Sequence, residues 1–106
     1  MAGRSFAVAA LEAYTRAARI SPLDSRILLQ QAWVCTMLGR FDEAGLVFAK
    51  ALAVDPRNAG IWRSLGHHFR RSGQPARARE AYERAVELAD DSEAKANLAD
   101  LSQQGR

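Results

Sequence analysis

Three groups of side chains in this 106-residue chain could in principle do chemistry: the adjacent pair His67 and His68, the single cysteine Cys35, and the carboxylates Glu80, Glu83 and Glu87. Neighbouring residues on a helix point about 100° apart. No Cys, Asp or Glu stands at ligand spacing beside the histidine pair, so no metal site is expected. The glutamates lie among Arg77, Arg79 and Arg84 at three- and four-residue spacings, the pattern of ion pairs on a solvated helix face and not of an acid/base couple. Cys35 has no second cysteine to pair with and sits in an apolar segment, which reads as a small, reduced core residue. A Gly-rich phosphate loop, a nucleophile elbow and a His-Glu metal motif are all missing. Neither an enzymatic activity nor a cofactor is expected.

Recognition chemistry is better represented. Arg63, His67, Arg70 and Arg71, extended by Arg57, could hold carboxylates by charge-assisted hydrogen bonds. Leu29, Trp33 and Met37 recur every four residues and would form an apolar stripe of about two helical turns, suited to receive the apolar face of a partner helix. A large rigid ring and an adaptable thioether are good anchors for such a contact.

The elements that carry these residues are helical. Apolar residues make up 48% of the chain, too many for disorder, while 3 Pro and 7 Gly leave long stretches free to form helix. The length suits one domain. No apolar run is long enough to span a bilayer, residues 1–20 lack the order of a signal peptide, and nothing visible directs the chain out of the cytoplasm. The net charge of +3 comes from arginines spread along the sequence, short of the clustered charge that would favour nucleic acid.

Offsetting the sequence by 34 residues aligns Ala10, Ala44 and Ala78, then Tyr14, Phe48 and Tyr82, then Ala17, Ala51 and Ala85. The same offset pairs Pro22 with Pro56 and Gly39 with Gly73. Small residues on one helical face let two backbones approach, and the aromatic between them fills the gap beside them. Each proline marks a boundary between hairpins. Within residues 59–85, Trp62, Leu65-Gly66, Phe69, Gly73, Ala78, Tyr82 and Ala85 reproduce the spacing of the tetratricopeptide repeat, and the sequence resembles that family almost end to end. Asp90 stands where the closing proline of the unit from 59 to 92 should be. The unit from 25 to 58 departs further, with Leu28, Gln31-Ala32 and Cys35 at the motif positions of its first helix.

The expected layout is helices over 5–20, 24–38, 41–54, 58–72, 75–89 and 93–103. These make a half repeat, two full repeats and a C-terminal capping helix in one domain, 1–106. The caps are Asp24 or Ser25 at the start of the second helix, positive-φ glycines at 39 and 73, and Pro75 in a first helical turn. The resemblance implies an all-α, right-handed solenoid of antiparallel helix hairpins, with the first helix of each hairpin lining a concave groove. One such helix, 58–72, reads as amphipathic, with Ile61, Trp62, Leu65, Gly66 and Phe69 packing and a basic outer face. The other, 24–38, is apolar nearly all round.

The functional expectation is a non-enzymatic scaffold that binds a protein or peptide, helical or apolar with acidic flanks, through Leu29, Trp33, Met37, Arg63, His67, Arg70 and Arg71. A homodimer or self-assembling module built on helix 24–38 is the alternative. In size, repeat count and truncated first repeat the chain resembles the small tetratricopeptide chaperones of type III secretion. A segment cut from a longer repeat array would look the same.

Overall fold

The computed structural model describes residues 2–104. Among them the regular structure is six α-helices and no strand: α1 (Ala2–Ile20), α2 (Ser25–Met37), α3 (Phe41–Val54), α4 (Ala59–Arg71), α5 (Pro75–Ala89) and α6 (Ser92–Gln104). The chain divides between Pro56 and Arg57 into two compact units. In the first, α1 packs on α2 and α2 on α3; in the second, α4 packs on α5 and α5 on α6.

The two hairpins turn in the same way. Gly39 (φ 77°) ends α2 and Gly73 (φ 78°) ends α4, a conformation that glycine adopts without a Cβ penalty. Beyond each glycine the next N–H returns to a carbonyl of the last helical turn, Arg40 to Cys35 at 2.9 Å and Gln74 to Phe69 at 2.8 Å. Asp24 accepts the Arg26 N–H at 3.0 Å to cap α2. Asn58, 34 residues on, caps α4 by accepting from Gly60 at 2.9 Å and Ile61 at 3.3 Å.

The third such boundary is built differently. Asp90, at the place of the closing proline, is left-handed (φ 51°), a value that a proline ring forbids. Its N–H closes on the Val86 carbonyl at 2.8 Å, so α5 runs on through Ala89. Helix α6 then starts at Ser92, with Asp91 as its cap, accepting the Ala94 N–H at 2.9 Å.

In the first unit the core comprises Leu11, Leu28, Ala32, Cys35, Leu38, Ala44, Val47, Phe48 and Ala51, together with Thr36, whose hydroxyl donates to the Ala32 carbonyl at 3.1 Å. The Cys35 thiol donates to Glu43 at 3.1 Å. Burial, reinforced by that carboxylate, pushes its pKa up to about 12, which keeps it protonated and unreactive. In the second unit Ala78, Tyr82, Ala85, Ala94 and Leu101 form the core, edged by Ala59, Trp62, Phe69, Val86 and Leu98. Gly66 is what lets α4 close on α5: a Cβ there would lie 2.5 Å from Cε1 of Tyr82 and 2.6 Å from its Cδ1.

Candidate partner-binding surfaces

On α2, the apolar stripe is graded in exposure. Leu29 and Trp33 are half-buried and Met37 is 48% exposed. The opposite side of the helix is spent on packing, through Leu28, Ala32 and Cys35. The large hydrophobic side chains most exposed in the described structure are Phe6, Ile20, Leu23, Met37, Leu46 and Val54, all from the first unit. A domain surface normally scatters such residues singly, so their concentration in one unit marks it as the adhesive one.

The basic side chains of α4 do not form the open outer face expected from sequence. Arg63 donates to Asp91 at 2.5 Å and lies 3.3 Å from Glu93. His67 faces Glu93 through Nε2 at 3.4 Å and shares a 2.8 Å hydrogen bond with the Tyr82 hydroxyl through Nδ1. Arg70 donates to Asn97 at 3.0 Å and pairs with Asp100. Residues 91, 93, 97 and 100, at the start of α6 and along it, thus supply the partners of three of the four basic positions. Arg71 is exposed. The signal for this was present in the spacing: Arg63, His67 and Arg70 stand at i, i+4, i+7 on one face of α4, and Glu93, Asn97 and Asp100 at i, i+4, i+7 on one face of α6.

His68 is the residue of α4 that sequence reasoning placed nowhere. It is buried, 3% exposed, because it lies three residues after Leu65 and seven after Ile61 on the same face. Burial holds its pKa below the ordinary histidine value. Burial also lowers that of His67, with Arg63 and Arg70 acting in the same direction and Glu93 against it. Both rings therefore take up a proton less readily folded than unfolded. Their effect on stability is absent above the unfolded pKa of about 6.5 and grows as a loss when the pH falls below it. The urea midpoint is expected to drop between about pH 7 and about pH 5, a window above the carboxylate range, and His68→Leu should flatten the drop. An unchanged midpoint across that window would rule out the histidine contribution.

No three His, Cys, Asp or Glu side chains gather as metal ligands among the described residues. None of the described helices is long and apolar enough to cross a membrane.

Paired antiparallel helices repeating at a fixed interval, with small residues and an aromatic at each interface, define a helical-repeat solenoid protein of the interaction-module kind. Two family models described as tetratricopeptide repeat match residues 5–59 and 37–101, and the chain belongs to that family. A TPR repeat-containing protein of Dictyostelium discoideum is 34% identical over 68 residues, covering 64% of this chain and 26% of that protein. The chain thus spans about a quarter of the length of that relative. Among solved structures, a thermophilic TPR protein of Thermus thermophilus superposes with a TM-score of 0.87 at 24% identity, over 95% of this chain and 52% of that one. The Yersinia enterocolitica type III secretion chaperone SycD, in complex with a peptide of the translocator YopD, superposes with a TM-score of 0.83 at 14% identity, over 96% of this chain and 84% of that one.

Proposed function

We propose that this chain is a protein-interaction scaffold that holds a helical or extended apolar segment of a partner against the Leu29, Trp33, Met37 face of α2. The observation that carries the reading is the stripe itself, one side chain half out of the core at each of two successive turns and a third more exposed, on a helix whose other side is committed to packing. Relatives of this fold solved with a bound peptide support the class of ligand, since SycD holds a translocator peptide. The basic residues Arg63, His67, Arg70 and Arg71 contribute less under this reading. Acidic flanks of a ligand would have to displace Asp91, Glu93 and Asp100 from the first three.

The test is capture of partners from the native source by the wild-type chain and by Leu29→Ala with Trp33→Ala, followed by titration of the identified partner. Loss of a buried tryptophan anchor alone weakens binding by roughly thirtyfold or more. Helicity measured by circular dichroism should stay near wild type. Equal affinity of the double variant for the same partner removes α2 as the binding face.

A further inference from the structure

The small-aromatic-small face occurs three times in the chain and is covered twice. On α3, Ala44, Phe48 and Ala51 are each 0% exposed, and on α5, Ala78, Tyr82 and Ala85 are each 0% exposed. In both hairpins the cover is the preceding antiparallel helix, α2 over α3 and α4 over α5. Each covering helix brings a small residue into register, Ala32 in one and Gly66 in the other, and Gly66 sits so close to the Tyr82 ring that no Cβ fits between them. On α1 the same residues at the same offset, Ala10, Tyr14 and Ala17, remain partly exposed. Phe6 at 77% and Ile20 at 83% exposed extend that face by one turn in each direction. The contact with α2 uses another side of α1, marked by the buried Leu11 and by Thr15, whose hydroxyl accepts from Gln31 at 3.5 Å.

We propose that this open face of α1 docks an amphipathic helix of a partner protein and completes a third hairpin with it. The two covered copies define the ligand. It presents glycine or alanine to the Tyr14 ring, with large apolar residues four and one before it and three after it, as Trp62, Leu65 and Phe69 flank Gly66. Its outer positions are acidic, because the exposed charges of α1 are Arg4, Arg16 and Arg19 against Glu12 alone. A second copy of the chain offers no such helix. The two helices with the required pattern are already buried in their own hairpins, and α1 flanks its own exposed Ala13 with Glu12 and Arg16. This surface is distinct from the α2 stripe, so the two readings stand or fall separately.

The probe is a synthetic peptide with the sequence of residues 58–72 carrying Arg63→Glu, Arg70→Glu and Arg71→Glu, titrated into the isotopically labelled full chain and followed by amide chemical shifts. Shift changes centred on Phe6, Ala10, Tyr14 and Ala17 are expected. Binding should weaken by about tenfold or more when the peptide also carries Gly66→Leu, and likewise for the chain variant Ala10→Glu. The variant should keep its helicity, since glutamate is a good helix former. Four outcomes overturn the proposal: no binding at millimolar peptide, equal binding of the leucine peptide, shifts centred on Leu29 and Trp33, or a dimer of the free chain that Ala10→Glu dissolves.

Discussion

Tyr82→Ala is expected to destabilise the second unit by about 3–5 kcal/mol, the range for removing a buried aromatic and leaving its cavity. The ring is 0% exposed and lies between Ala78 and Ala85, both also fully buried, so no neighbouring side chain is long enough to collapse into the space. Its hydroxyl bonds His67, which loses that partner as well. A small domain holds only about 5–15 kcal/mol in total, so the variant should show a large drop in urea midpoint by circular dichroism. Gly66→Ala attacks the same contact from the opposite side. The new methyl would meet the ring at 2.5 Å, and the flanking alanines of α5 leave the ring nowhere to retreat. Overpacking of this kind costs about 1–3 kcal/mol. The two substitutions should couple: in a Tyr82→Leu background, Gly66→Ala should cost much less than in wild type. A wild-type midpoint for Tyr82→Ala would contradict the packing described for α4 and α5.

Much of this architecture was legible because each repeat is solved by its own local chemistry. Gly39 and Gly73 turn where their positions required a left-handed residue, and Ala44, Phe48 and Ala51 bury together with the copies 34 residues on. The helices come out within a few residues of the expected spans, with α1 reaching back to Ala2. Two things were not legible. The boundary at Asp90 had no proline to fix it, and whether a non-glycine residue there turns left-handed depends on how α6 packs, which no local pattern states. The basic face of α4 read as solvated because single exposed arginines usually are. Its partners lie 27 to 30 residues away and reach it only once Ala94, Leu98 and Leu101 have set the rotation of α6 on the core. The matching i, i+4, i+7 spacings were visible in both helices, but spacing alone does not say which two faces meet.

Asp91 ties these two features together, and Asp91→Ala is expected to cost roughly 2 kcal/mol. Removing the cap of α6 accounts for about 1 kcal/mol, since the Ala94 N–H loses its acceptor. The bond with Arg63 contributes the rest, discounted because the arginine side chain is 31% exposed. Asp91→Asn separates the two, because asparagine caps a helix as well as aspartate does but carries no charge; it should recover about 1 kcal/mol. Acid sharpens the comparison. Burial opposes ionisation of Asp91, but the Ala94 N–H and Arg63 more than compensate and hold its pKa below the usual aspartate value. A carboxylate with a lowered folded pKa stabilises the fold above about pH 4 and loses that contribution as the pH falls through the folded value. Both variants should therefore show a shallower acid limb than wild type in urea melts. The local readout is hydrogen exchange: α6 amides should lose protection in Asp91→Ala before those of α4 and α5, since Ala94, Leu98 and Leu101 alone then dock the helix. Uniform loss of protection across the second unit would mean that α6 is not a separately releasable element, and that Arg63, His67 and Arg70 are uncovered only by unfolding.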